Sequence, residues 1–222
     1  MNKRIQYLRY LLKDKSHYKY RKNELGVSIL NDNTRKMPFV IRKALSFKYA
    51  LEHMPIFIQE NELIVGGRTV YSLPEYVTVE EKDNGIKDFE DEGYDNVFDI
   101  HYNLGQDERG YGRPDGDPPN YKRLLEEGFP AYKKKVLEKL KEEKDDKKRE
   151  YYEAVRITYE GLEALINRYA ELAENVAKDK EGEESAELMS IARNCRTLLK
   201  EKPKNTWQAI QLMYFVQFLS WT

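Results

Sequence analysis

From Tyr152 to Val176, large side chains recur at steps of three and four: Tyr152, Val155, Tyr159, Leu162, Ile166, Tyr169, Ala173 and Val176. A helix repeats every 3.6 residues, so this spacing predicts one long amphipathic helix with a narrow seam. A rod of that kind must bury its seam against other elements, so the chain reads as mainly α. A stand-alone coiled coil is the alternative. The tyrosines in the seam favour packing inside a helical domain.

The flanks support that reading. Residues 133–150 are charge-rich, with Val136 and Leu140 as the main apolar positions, and read as a solvated helix end and hairpin turn. Asp179 to Glu184 is a charged turn. Leu188, Ile191, Cys195 and Leu198 line the next helix, which places Cys195 on its apolar face. With no histidine near it in sequence and no helix N-terminus, Cys195 reads as a buried, inert thiol. Pro203 and the Asn205-x-x-Gln208 pattern mark a further helix start. From Trp207 to Trp221 apolar residues then cover every side, interrupted by glutamines. That helix wants burial all round, yet is too short to span a bilayer.

Residues 38–69 give the other strong pattern. Val40, Ala44, Phe47, Leu51 and Met54 form a helical face, and Pro55 stops the helix. Ile56-Phe57-Ile58 reads as extended, Gln59 to Glu62 as a turn, and Leu63-Ile64-Val65 as a compact strand closed by Gly66-Gly67. The sequence therefore predicts one or two short strands, at 56–58 and 63–70. Residues 71–118 lose all periodicity and read as a long loop, parts of which pack through interspersed aromatics. Asp115-Gly116-Asp117 lacks the ligand spacing and closing glutamate of a calcium loop. From residue 119 to 222 the pattern is helical again.

Charged residues make up 35% of the chain and the net charge is −1. That balance argues against a general nucleic-acid binder, which would be strongly basic. A basic stretch at residues 1–25 has a weak apolar stripe and reads as a solvated first helix rather than a membrane or nucleic-acid arm. One cysteine rules out an intramolecular disulfide framework and a cysteine-cluster metal site. No apolar signal segment follows the N-terminus, and a cytoplasmic protein is expected.

The string RKALSFKYALEHMPIFIQENELIVGG resembles the N-terminal signature of the glycyl radical enzymes, the pyruvate formate-lyase-like family. PPNYKRLLEEGFPAYKKKV from Pro118 resembles the family's entry to a long helix. YYEAVRITYEGLEALINRYAELAENVA, ELMSIARNC and NTWQAIQLMYFVQF resemble the helical region after it. The resemblance is strongest from Pro38 onward and weakest over 1–37 and 70–117. It implies that residues 1–222 are the N-terminal, helical portion of an α/β barrel.

For a complete enzyme the resemblance implies radical lyase, acyltransferase or dehydratase chemistry with no bound cofactor. An iron–sulfur activating enzyme using S-adenosylmethionine would install the radical on a glycine, and a cysteine would pass it to substrate. Neither motif lies in the region matched, so the chain alone is expected to be inactive. Substrate contacts fall, by the resemblance, at Asp117, Asn120 and Tyr121. The histidine of the family's "GH…PNY" segment is absent, and Asp117 stands nearest its place. Arg68, like Arg42, is a candidate carboxylate partner, with a structural ion pair as the alternative; for Asp117 and Asn120 the alternative is helix capping. Expected partners are the remainder of the enzyme, an activating enzyme, or a second copy through residues 207–221. A non-catalytic protein docking through its last helix is the competing reading.

Overall fold

The computed structural model describes residues 2–13, 27–66, 73–84 and 119–219. Its helices are α1 (Lys3–Lys13), α2 (Phe39–His53), α3 (Tyr121–Glu127), α4 (Phe129–Glu142), α5 (Asp146–Ala177), α6 (Gly182–Leu198) and α7 (Thr206–Leu219). The helical expectation holds.

The 32 residues of α5 make a rod of about 48 Å at 1.5 Å per residue. Asp145 caps it by accepting from the Lys148 backbone N–H at 2.9 Å. Helices α2, α4 and α6 all pack against it. The predicted seam is buried at Leu162, Ile166, Tyr169 and Ala173, but Tyr152, Val155, Tyr159 and Val176 are only partly covered. A second row, Ala154, Ile157, Gly161, Leu165 and Ala170, is buried as well. The stripe is broad because α5 is wrapped on two sides. Small residues allow this: a Cβ on Gly161 would lie 2.8 Å from the Lys48 Cα, so α2 crosses α5 almost backbone to backbone. Ile41 and Ala44 of α2 meet Ala154 and Ile157 in a satellite core beside that crossing.

Charged side chains fasten the layers at their margins. Lys48 pairs with Glu160 at 2.9 Å, and Lys133 of α4 with Glu163 at 2.6 Å. Arg168 donates to the carbonyls of Leu51 at 2.6 Å and Met54 at 2.5 Å. It thereby satisfies groups that the end of α2 leaves open, and sets a positive charge at the negative end of that helix.

Arg42 is buried and fully engaged. It donates to the carbonyls of Tyr76 and Met37, each at 2.9 Å, and pairs with Glu81. Of the two roles open to Arg42, the structure gives the structural one. Thr78 and Glu81 bond reciprocally to each other's backbone N–H, and helical turns follow at 79–84. The Tyr76 ring packs on Phe39 at 5.5 Å. The first part of the predicted 71–118 loop is thus held to α2; residues 85–118 lie outside the described residues.

The short strands need correction. Among the described residues there is no β-ladder, only a parallel bridge between Ser28 and Glu75. Residues 56–58 and 63–66 carry no strand assignment, and 67–70 lie outside the described residues. The β-branched run at 63–65 finds its polar partners on helix α7 instead of on a neighbouring strand.

Candidate functional site

Helix α7 supplies two of those partners, which make three bonds. The Gln211 side chain accepts from the Val65 N–H at 2.8 Å and donates to the Val65 carbonyl at 2.7 Å. One turn earlier, the Trp207 indole N–H donates to the Leu63 carbonyl at 2.7 Å. Gly66 follows with φ +116°, where an L side chain is strained, and a Cβ there would lie 3.2 Å from the Tyr214 ring. Only glycine lets the chain pass against that ring.

Further buried amides lock α7 in place. Gln208 accepts from the Lys204 N–H at 2.8 Å and donates to Asn194 of α6 at 3.1 Å. Asn205 accepts from the Gln208 N–H at 2.9 Å, realising the predicted cap. Leu212 and Phe215 fill the core between these amides, while Ile210 is half exposed. Burial is therefore one-sided, although the residue pattern is apolar all round. The glutamines mark the inward face.

Of the predicted site residues, Asn120 and Tyr121 are described, and Asp117 and Arg68 are not. Asn120 caps α3, accepting from the Arg123 N–H at 3.1 Å. Tyr121 donates its hydroxyl proton to Gln217 of α7 at 2.5 Å. Segments 63–66 and 119–121, far apart in sequence, are thus both tied to α7, at Gln211 and Gln217. Those positions are six residues apart, about 9 Å along the helix axis. Asn120 also borders a cleft of about 410 Å³ lined by Leu124, Phe129, Tyr132, Tyr159 and Val216. Burial pushes the Tyr159 phenol up to about 12, so it stays protonated.

Cys195 is fully buried, and burial pushes its thiol up to about 12, as the inert reading expects. Among the described residues no group of His, Cys, Asp and Glu side chains is arranged to hold a metal ion. No described helix is long and apolar enough to cross a membrane. Chemically, the described residues form a frame: the buried amide of Gln211 and the half-buried amide of Gln217 fix two polypeptide segments against one helix.

The sequence of that frame matches a known family. Residues 1–99 and 102–222 match the family described as pyruvate formate lyase-like. The chain belongs to this family. The match takes in residues 1–37, where the resemblance of individual motifs is weakest. Among curated proteins, the chain is 25% identical over 228 residues to the protein named Probable dehydratase YbiW of Escherichia coli, covering 82% of this chain and 28% of that one. It is 33% identical over 108 residues to the isethionate sulfite-lyase of Desulfovibrio desulfuricans, covering 46% of this chain and 13% of that one. Solved glycyl radical enzymes share the fold. The glycerol-bound B12-independent glycerol dehydratase from Clostridium butyricum superposes with a TM-score of 0.60 at 23% identity, over 84% of this chain and 30% of that one. A glycyl radical enzyme from Archaeoglobus fulgidus gives 0.61 at 24%, with the same coverage. The chain spans less than a third of the length of these relatives.

Proposed function

We propose that this chain forms the N-terminal helical portion of a glycyl radical enzyme, and that the complete enzyme is a lyase or dehydratase. The observation that carries the reading is the family match running through nearly the whole chain. The relatives' names favour elimination over C–C cleavage of a 2-oxo acid: a dehydratase, a sulfite-lyase and a sulfopropanediol dehydratase stand among them.

In this reading the chain supplies scaffold and pocket wall, not the radical centre. Helix α7 sets the exits of two segments. One leads from Gly66 toward Arg68, and the other comes from Asp117 into Asn120 and Tyr121. Arg68 and Asp117, outside the described residues, are the candidate charged contacts for a polar substrate, while Asn120 and Tyr121, bonded to α3 and α7, hold the pocket wall. The glycyl radical and the cysteine that relays it belong to the remainder of the enzyme. A separate iron–sulfur activating enzyme would generate the radical. Cys195, buried as a thiol, takes no part, and the 222-residue chain has no activity alone.

The reading is tested with the complete polypeptide, activated without oxygen and given vicinal diols, a 2-hydroxysulfonate, and pyruvate with a thiol to accept the acetyl group, in parallel. Release of water or sulfite with formation of a carbonyl product supports it. Formate release from pyruvate as the dominant reaction overturns the elimination reading.

A further inference from the structure

Helices α3, α4, α5 and α7 all line the cleft of about 410 Å³ beside Asn120. Pockets that take small molecules run from roughly 300 to 1,000 Å³, are mostly apolar and carry a few convergent polar groups. This cleft has that character. Leu124, Phe129 and Leu162 are buried and form its floor. Tyr132, Tyr159 and Val216 are half buried and form its walls. From Val155 to Leu162 it follows α5 for about 10 Å along the helix axis.

The polar groups gather at the two tyrosines. The Tyr159 ring packs on Phe129 at 4.9 Å, and Tyr132 lies within electrostatic reach of Tyr159. Among the described residues neither phenol hydroxyl has a hydrogen-bond partner. The other polar side chains of the cleft are engaged: Thr158 donates to the Ala154 carbonyl at 2.9 Å, and Asn120 caps α3. The phenol protons are therefore the donors that a ligand can use.

Positive charge stands beside the same ring. The Arg123 guanidinium lies 5.6 Å and the Lys135 ammonium 5.7 Å from the Tyr132 ring centroid. Both pair with one carboxylate, that of Glu127. Two cations sharing one anion leave the group net positive. Lys133 adds nothing to it, since Glu163 holds its ammonium at 2.6 Å. An apolar trough that ends in hydroxyl donors and positive charge suits a ligand with an apolar body and one anionic end.

We propose that this cleft binds an amphipathic monocarboxylate, with its apolar body along α5 between Val155 and Leu162 and its carboxylate at the Tyr132 and Tyr159 hydroxyls, beside Arg123 and Lys135. A carboxylate leaves water only where donors and positive charge replace its hydration, and this edge supplies both. The apolar body adds affinity in proportion to its length, roughly fourfold for each methylene buried. The assignment uses neither Arg68 nor Asp117, so it stands or falls apart from the elimination reading.

Octanoate is the probe, titrated into the 222-residue chain and followed by methyl NMR. The methyl signals of Val155, Leu162 and Val216 should shift saturably, while those of Ile191 in α6 stay in place. Hexanoate, two methylenes shorter, should bind roughly fifteenfold more weakly. Tyr159→Phe removes a hydrogen bond to a charged group and should weaken octanoate roughly tenfold. Arg123→Gln should weaken octanoate by less, with the difference lost in high salt, and leave 1-octanol unaffected. Val155→Trp, which fills the cleft, should abolish the shifts; if it does not fold, Val216→Trp fills the cleft from α7 instead. Three results would overturn the proposal: no saturable shift at millimolar octanoate, shifts that persist in the filled variant, or 1-octanol binding as tightly as octanoate with Tyr159→Phe indistinguishable from wild type.

Discussion

The side-chain amide of Gln211 completes the backbone of Val65, accepting from its N–H and donating to its carbonyl at 2.8 and 2.7 Å. Both residues are buried, so no water can take over if either partner is lost. A side chain here satisfies backbone groups that a neighbouring β-strand would otherwise pair, and the run at 63–65, bent at Leu63 and Ile64, needs no ladder.

Replacing Gln211 with leucine keeps the volume but strands two buried backbone groups. Each unsatisfied group costs about 1–3 kcal/mol. Urea denaturation should show Gln211→Leu markedly less stable than wild type, with the Val65 amide losing its exchange protection. A variant as stable as wild type would mean that the amide pair contributes nothing.

Gly161→Ala tests the α2–α5 crossing. In a free helix alanine is more favourable than glycine by about 1 kcal/mol. Here its Cβ meets the Lys48 backbone at 2.8 Å, so the helices must separate. Overpacking of this kind costs about 1–3 kcal/mol, and the melting temperature should fall. A rise would show that the crossing has slack.

Phe215 and Ile210 lie on opposite sides of α7. Phe215 is fully buried, so Phe215→Ser should destabilise by about 3–5 kcal/mol and unfold the helix packing. Ile210 is half exposed, and Ile210→Ser should leave stability nearly unchanged. If the isolated chain self-associates through α7, as its apolar sequence suggests, Ile210→Ser should weaken that association in sedimentation. The opposite ranking of the two variants would place the helix the wrong way round.

Cys195 should resist modification. Its thiol, raised to about 12 by burial, is protonated at pH 8 and out of reach. Iodoacetamide should label it only under denaturing conditions. Labelling of the folded chain within minutes would contradict its placement in the core.

Periodicity made much of this fold legible, because long helices repeat one pattern many times. The seam of α5, the apolar face of α6 and the caps at Asn120 and Asn205 could all be read from residue spacing. The α2–α5 crossing could not. It depends on Gly161 and Ala154, which look neutral in a count of large apolar residues but decide how closely two backbones approach. Gln208 and Gln211 look like interruptions of an apolar helix, yet they are its most specific inward contacts. The strand expectation at 63–70 failed, where it can be judged, for the same reason. Apolar and β-branched residues show that a segment fits a half-buried surface, but not that it runs straight: the chain bends at Leu63 and Ile64, and a side chain completes the hydrogen bonds of Val65. At the candidate site, Asn120 and Tyr121 were legible as a motif. Their connection to Val65 through α7 required the three-dimensional arrangement.

The central claim is that this chain is the scaffold portion of a glycyl radical enzyme whose radical resides elsewhere in the polypeptide. Electron paramagnetic resonance after anaerobic treatment with an activating enzyme and S-adenosylmethionine tests it most directly. The complete polypeptide should give a glycyl radical doublet, and the 222-residue chain should give none. A doublet on the 222-residue chain, or none on the complete polypeptide under conditions that activate a relative, would contradict the account.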